Sequence, residues 1–283
     1  MKTKDRKDRY VDSPIGKYLL IFIALSFLAV MIYIPLMALL QEVIKGGWST
    51  LIGALTDRNF RNACWLTVLT ALVAVPLNTV FGLCTAWIIA RHRFPGRTFL
   101  ITLIDLPFSI SPVVVGLMLV LLYGRQGWLG GFLEAINFRV IFSLPGIILA
   151  TAFVSMPFVA REVMPILEEI GKSEEEAAKT LGASGWQTFW YVTVPNIRWG
   201  ILYGVLLTNA RAMGEFGAVS VVSGNIGGKT QTLPLFIEDV YLNYQTAQAF
   251  AASIVLALLA LVTLVVKELL ERRSGYKSKP RIH

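Results

Sequence analysis

Six long apolar segments dominate this sequence and restrict what it can fold into. They cover residues 18–41, 64–90, 99–123, 140–160, 199–222 and 246–270. Each is about 20 residues or longer, which is enough for a helix to cross roughly 30 Å of hydrocarbon. Because a bilayer offers the backbone no water to bond, helices are the natural spanning structure. The sequence therefore predicts an all-α integral membrane protein with six transmembrane helices.

The composition agrees with this prediction and suggests an orientation. The chain is 55% hydrophobic and only 16% charged, with a net charge of +8. Its basic residues concentrate before the first span, between spans two and three, between spans four and five, and after span six, which is a topology signal rather than a nucleic-acid patch. The positive-inside rule predicts a multi-pass plasma (inner) membrane protein with both termini in the cytoplasm. We expect cytoplasmic tails at 1–17 and 271–283, a membrane domain over 18–270, and a cytoplasmic loop at 161–198.

Patterns for catalysis on this chain are missing. Residues 223–230 end in Gly-Lys-Thr, but Ser223 stands where a Walker A motif has its first glycine. The segment follows a predicted span and lies on the predicted outer side, away from ATP, so we interpret it as a glycine-rich turn. The chain also lacks a nucleophile elbow and a supported pair of catalytic carboxylates. We predict that it is not an enzyme by itself and holds no cofactor or metal.

Residues 173–195 form a polar segment between the fourth and fifth predicted spans. Ser173 and Glu176 have the spacing of a capping box, in which each side chain bonds the other residue's backbone N–H. The acidic residues that follow Ser173 suit the positive end of a helix dipole. Gly182 is well placed to end this helix, because glycine adopts the left-handed conformation without steric cost.

A second helix is predicted directly after this glycine. Ser184 and Gln187 form another capping box pattern, and Pro195 marks the exit toward span five. Three aromatic residues share one helix face at i, i+3 and i+4 spacing: Trp186, Phe189 and Trp190. The segment is either an ordinary amphipathic helix at the lipid interface or a docking helix for a partner.

Two charged residues lie within the fifth predicted span. Arg211 is about a dozen residues from the start of the span, or roughly 18 Å deep. An unpaired arginine there costs about 2.5 to 3.5 kcal/mol or more. Glu215 follows one turn later on the same face. Three interpretations stay open: the two residues neutralise each other, Arg211 lines an anion path or gate, or Arg211 contacts another subunit.

The third predicted span carries Pro107 and Pro112 with two serines between them. Prolines free backbone carbonyl groups inside a helix, and the hydroxyls of Ser109 and Ser111 can satisfy a broken ladder. A broken helix near the middle of the membrane often borders a translocation site. The alternative is a kink that serves packing only.

The polar segment resembles the EAA loop of ABC importer permeases. The pattern E-A-A, three residues, G, nine residues, aliphatic-x-aliphatic-P is met by Glu176, Ala177, Ala178, Gly182, Val192, Val194 and Pro195. In that family the loop is a coupling helix that seats in a cleft of the ATPase subunit. The resemblance implies that ATPase coupling involves Glu176, Ala177, Ala178, Gly182, Ala183 and Ser184.

Further strings narrow the resemblance to the sulfate/thiosulfate permease subunits of ABC importers. They include residues 105–116 (DLPFSISPVVVG) and 208–224 (TNARAMGEFGAVSVVSG). The resemblance implies a type I importer (MetI-like) permease fold. It also implies a sister permease subunit (CysT type), two ATPase subunits (CysA type) that bind ATP and Mg, and a periplasmic sulfate/thiosulfate-binding protein.

Other functions remain compatible with the sequence. Molybdate or tungstate permeases share the Gly-Glu-Phe-Gly-Ala string, so this string alone does not select the anion. From a different class, an ATP-independent secondary anion transporter or a channel would need no ATPase, and a secondary carrier would more often show inverted repeats. A purely structural membrane protein would not require charged residues such as Arg211 and Glu215 inside a span.

Overall fold

The computed structural model describes residues 14–274, and all of its regular structure is helical. Residues 1–13 and 275–283, which hold most of both predicted tails, lie outside the described residues. The helices are α1 (Pro14–Thr56), α2 (Arg58–Arg91), α3 (Arg97–Ser109), α4 (Pro112–Tyr123), α5 (Gly130–Ala135), α6 (Leu144–Ser155), α7 (Pro157–Ile170), α8 (Ser173–Thr180), α9 (Gly185–Thr188), a π-helical turn (Phe189–Thr193), α10 (Val194–Met213), α11 (Gly217–Ser223), α12 (Leu233–Leu242) and α13 (Thr246–Ser274).

Within these described residues, four stretches are long and apolar enough to cross a membrane: Gly16–Gln41, Arg58–Arg91, Leu144–Ile170 and Thr246–Thr263. The α3 and α4 helices would form a fifth span if they count as one. The all-helical, multi-pass class is therefore confirmed, whereas the number of six spans stays a prediction.

Two of the predicted spans are interrupted in addition to the bend between α6 and α7. The α3 and α4 helices meet at 110°, because Pro112 begins α4 and the residue before it, Ser111, is extended with φ −59 and ψ 135. The predicted span 199–222 is formed by two helices and not by one. The α10 helix ends at Met213 and α11 begins at Gly217, with buried Glu215 between them.

A tightly packed centre joins α2, α7 and α10. The cluster of buried side chains consists of Ala86, Val159, Val163, Leu167 and Ile197. The α10 helix approaches α7 closely at Gly204, where an added Cβ would lie 2.7 Å from the Cα of Val159. Small residues allow this kind of close backbone approach between membrane helices.

A buried asparagine stabilises the bend between α6 and α7. Pro157 begins α7, and Met156 N–H bonds to Phe153 rather than to Ala152. Asn78 of α2 donates to the free Ala152 carbonyl at 3.0 Å and to Ser155 Oγ at 2.9 Å. A neighbouring helix thus satisfies the backbone group that the bend leaves open, as the apolar surroundings require.

Candidate functional site

Gly182 ends α8 as the sequence predicts. Its φ is +89, in the left-handed region. Its N–H donates to the Lys179 carbonyl at 3.0 Å, and the Ala183 N–H donates to the Ala178 carbonyl at 3.0 Å. These are the two hydrogen bonds of a Schellman motif, so the predicted end of the helix is confirmed.

The start of α8 differs from the prediction. Lys172, with φ −111 and ψ −4, occupies the cap position, and no side chain caps the helix. The Glu176 N–H donates to the Lys172 carbonyl at 2.9 Å. The ammonium group of Lys172 donates to the Arg91 carbonyl at 2.6 Å. Because this contact with α2 holds Lys172 at the cap, Ser173 is the first helical residue and the Ser173–Glu176 capping box is wrong.

The second capping box is present, but its helix is longer than predicted. Gln187 N–H donates to Ser184 Oγ at 3.3 Å, and Ser184 N–H donates to Gln187 Oε1 at 2.8 Å. The α9 helix then continues through the π turn into α10. Pro195 was predicted to mark an exit, yet it lies inside this continuous helix. Because proline lacks an N–H, the regular ladder is interrupted here, and the Val194 N–H bonds five residues back to Phe189.

Glu175 fastens α8 to the rest of the protein. The Arg91 Nε donates to Glu175 Oε1 at 2.9 Å and to Oε2 at 3.0 Å. Arg91 also donates from Nη1 to the Leu167 carbonyl at 2.7 Å. Thr193 of the π turn donates to Glu175 Oε1 at 2.9 Å. The side chains of Arg91 and Glu175 are only 6% and 11% exposed, so this ion pair is buried, and hydrogen bonds from Thr193 and to the Leu167 carbonyl support it.

The predicted aromatic face forms one cluster. The ring of Phe189 lies 6.2 Å from that of Trp186 and 5.5 Å from that of Trp190. Phe189 also packs edge-on against Trp87 of α2, with ring centroids 6.3 Å apart. The 173–195 segment is therefore attached to α2 by aromatic packing as well as by charge.

The opposite side of the segment is open. Leu181 is 89% exposed and Trp186 is 71% exposed. The predicted coupling residues are exposed at Glu176, Ala177, Gly182 and Ser184 and partly buried at Ala178 and Ala183. The segment thus combines an inner face fixed to α2 with an open face on which apolar side chains, Leu181 and Trp186, lie beside the charged Glu176.

The second group of predicted residues surrounds the two helix breaks, which lie side by side. A Cβ added to Gly217, at the start of α11, would lie 3.0 Å from the Cβ of Pro112, at the start of α4. Ser109 and Ser111 are exposed at their break. Ser111 occupies the cap position of α4 without a side-chain cap bond.

Arg211 and Glu215 form the predicted ion pair. The Arg211 Nη1 lies 2.6 Å from Glu215 Oε2. The other carboxylate oxygen accepts the Ala218 N–H at 2.9 Å, which places negative charge at the start of α11. The Glu215 side chain is 2% exposed and that of Arg211 is 32% exposed. The Arg211–Glu215 contact is therefore present, and the roles of Arg211 at an anion path or at another subunit stay predictions.

The sequence reasoning missed the contacts of Glu175, Arg91 and Thr193. Glu175 was predicted only as one of three acids that suit a helix start. One signal could have suggested Arg91, which is a basic residue at the end of an apolar helix with a carboxylate-rich helix predicted on the same side. The partners lie 84 residues apart in the sequence, beyond the reach of any local pattern.

The turn at 223–230 follows a helix and folds onto itself. Asn225 N–H donates to Ser223 Oγ at 3.1 Å, and Ile226 N–H donates to Thr230 Oγ1 at 3.2 Å. The preceding element is α11 rather than the strand that precedes a Walker A loop. The predicted glycine-rich turn is confirmed.

Residues 81–276 match the family described as "Binding-protein-dependent transport system inner membrane component". This match covers more than half of the chain, and the chain belongs to that family. A chain of a bacterial alginate ABC transporter, solved in complex with an alginate pentasaccharide-bound periplasmic protein, has the same fold. It superposes with a TM-score of 0.79 at 19% identity and covers 95% of this chain and 98% of that chain. The ABC importer permease fold is thus confirmed.

Individual relatives show which permease subunits within this family the chain is similar to. It is 61% identical over 260 residues to the sulfate transport system permease protein CysW of Synechocystis sp., covering 92% of this chain and 94% of that protein. It is 49% identical over 273 residues to CysW of Escherichia coli strain K12, covering 96% and 94%. It is 41% identical over 241 residues to the CysT permease protein of that strain, covering 84% and 87%. The resemblance to CysW-type permease subunits is confirmed.

Proposed function

We propose that this chain is the permease subunit of an ATP-driven ABC importer that moves sulfate or thiosulfate into the cytoplasm. The observation that carries the proposal is the 61% identity to a sulfate transport permease over 92% of the chain. The 173–195 segment supports it, because its open outer face suits a driving partner and its inner face is fixed to the membrane helices. Both termini and this segment lie on the cytoplasmic side, in accordance with the basic residues near them.

The importer needs further subunits. The 41% identity to a CysT permease supports pairing with a sister permease of that type, since the two would form a similar pair of halves. Two ATPase subunits of the CysA type would bind ATP and Mg, and this chain would bind no nucleotide itself. A periplasmic binding protein would deliver the anion, and the alginate transporter, which was solved with a periplasmic protein, supports that arrangement.

The anion is tested with the assembled complex in proteoliposomes. Sulfate or thiosulfate, presented with the binding protein, should stimulate ATP hydrolysis and accumulate inside the vesicles. Molybdate and tungstate at the same concentration should do neither. If molybdate but not sulfate stimulates ATP hydrolysis, the chain would instead be assigned to a molybdate or tungstate importer. Uptake of sulfate without any ATPase subunit would instead favour a secondary transporter or channel.

The coupling role of the 173–195 segment rests on the exposed residues Glu176 and Gly182. The ATPase can drive transport only by binding this segment differently in its two states. Glu176→Lys reverses the charge on the open face, and Gly182→Asp opposes the left-handed conformation that ends α8. Each should reduce sulfate uptake per ATP hydrolysed while the chain still reaches the membrane. Normal transport in both variants would disprove the coupling role.

We further propose that Ser109, Ser111, Arg211 and Glu215 border the anion path. They surround two adjacent helix breaks, and the Arg211 side chain stays 32% exposed within a predicted span. A dianion requires compensating positive charge or many N–H donors. Arg211→Ala should therefore lower sulfate uptake with unchanged membrane abundance and ATPase binding. Loss of abundance would instead show that Arg211 serves only its own ion pair.

A further inference from the structure

The α8 helix is joined to its neighbours in the chain by a glycine on each side. Gly171 has φ 71 and ψ −159, a conformation that is essentially restricted to glycine. Gly182 has φ +89 on the other side. An added Cβ at either glycine would meet no other atom within 4 Å, so neither connection is held by packing. The backbone connections on either side of α8 are therefore poorly suited to transmit a movement of α8 to the membrane helices.

The buried attachment of α8 is the Glu175 side chain, whereas Lys172 at the cap bonds the Arg91 carbonyl and the exposed Glu174 accepts from Asn196 of α10. The two oxygens of Glu175 share the N–H of Arg91 Nε from α2, and Oε1 also accepts from Thr193 of the π turn. Arg91 in turn reaches the Leu167 carbonyl in the last turn of α7, where carbonyl groups lack helix partners. Four elements thus meet at a single carboxylate–guanidinium contact.

We propose that the Arg91–Glu175 pair is the joint through which a displacement of α8 moves α2, α7 and the start of α10. This inference rests on the proposed coupling role of the 173–195 segment, and it makes Arg91 and Glu175 positioning residues that need not touch ATP or the anion. The guanidinium is held in distance and direction together, because its Nε–H lies between the two Glu175 oxygens while its Nη1 bonds the Leu167 carbonyl. The helices follow α8 because separating the pair would leave two buried charges without an opposite charge beside them.

The test uses the complete complex, with sister permease, ATPase and binding protein, in proteoliposomes. Sulfate uptake and ATP hydrolysis are measured separately for Glu175→Gln, which keeps the side-chain shape and removes the charge. We expect the ATP hydrolysed per sulfate transported to rise by about fivefold or more. A purely structural role would lower uptake and hydrolysis together and leave their ratio unchanged, and that result would overturn the proposal.

A matched control is available in the Arg97–Glu168 pair. Its atoms are 2.8 Å apart and it also links α7 to a neighbouring helix, but its side chains are 41% and 48% exposed. Glu168→Gln should leave the ratio of hydrolysis to uptake unchanged. An equal rise in Glu168→Gln would mean that any loss of charge near this loop uncouples the complex, and the specific role of Glu175 would be refuted.

Two further variants keep the proposal decidable. If Glu175→Gln does not assemble, Arg91→Lys retains the charge but loses the planar guanidinium that bonds Glu175 and the Leu167 carbonyl together. It should still raise the ratio. A normal ratio in Arg91→Lys would overturn the proposal.

Glu176→Lys separates the proposed joint from the proposed coupling role of the 173–195 segment. If Glu176→Lys uncouples and Glu175→Gln does not, only the joint is wrong; if neither uncouples, the coupling role of the whole segment is wrong.

Discussion

Two Arg–Glu ion pairs lie toward opposite ends of α10, and they differ in what they connect. Glu175 contacts Thr193, directly before α10, and pairs with an arginine 84 residues away. Arg211 and Glu215, at the other end, are one helical turn apart. Thr193 and Arg211 are separated by about 27 Å along the helix.

The comparison shows how similar chemistry serves different purposes. The Arg211–Glu215 pair neutralises charge within one interrupted span, and Glu215 also caps α11. The Arg91–Glu175 pair holds together helices that are distant in the sequence. A local pair can be removed with effects confined to its own break, whereas a long-range pair affects the relative positions of several helices.

The largest expected difference is in stability after removal of each arginine. Arg91→Ala should lower the free energy of unfolding by about 3–5 kcal/mol, because it leaves the Glu175 carboxylate buried and the Leu167 carbonyl without its donor. Arg211→Ala should cost less, about 1–3 kcal/mol, because the Arg211 side chain is 32% exposed and its ion pair is better screened by solvent than that of Arg91, which is 6% exposed. Denaturant titration of the detergent-solubilised chain measures both. Equal costs, or a larger cost for Arg211→Ala, would contradict the distinction.

A smaller difference in the free energy of unfolding is expected when the same change, Thr→Val, is made toward each end of α10. Thr193→Val removes a hydroxyl that donates to a buried carboxylate at 2.9 Å. It should lower the free energy of unfolding by about 1.5–3 kcal/mol. Thr208→Val is the matched control, because its hydroxyl donates to the Gly204 carbonyl of the same helix at 2.7 Å. Thr208→Val should lower the free energy of unfolding by less than about 1 kcal/mol. Denaturant titration measures both variants, and equal costs would contradict the comparison.

The features predicted from the sequence were those with local causes. The Arg211–Glu215 pair follows from i, i+4 spacing, and Gly182 follows from the conformational freedom of glycine. The family resemblance added the importer fold. The break between α10 and α11 and the Arg91–Glu175 contact could not be predicted, because they depend on how helices distant in the sequence pack.

The two capping boxes illustrate the same limit within one segment. The Ser184–Gln187 box lies where α9 begins, and its two hydrogen bonds involve only neighbouring residues. The Ser173–Glu176 pattern has equally good spacing. It fails because Lys172 is drawn to the Arg91 carbonyl of α2 and takes the cap position. A tertiary contact has overridden a local preference by a shift of one residue.

The smallest expected effect tests this difference between the boxes. Ser184→Ala removes an acceptor from the Gln187 N–H and should destabilise the start of α9 by about 1 kcal/mol. Ser173→Ala removes no cap bond and should change stability by less than about 0.5 kcal/mol. Hydrogen exchange measures both, at the Gln187 and Glu176 amides. Faster exchange at Glu176 in Ser173→Ala would mean that the Ser173 hydroxyl does cap α8. The expected pattern, with exchange faster only at Gln187 in Ser184→Ala, would mean that contact with α2 rather than local sequence determines where α8 begins.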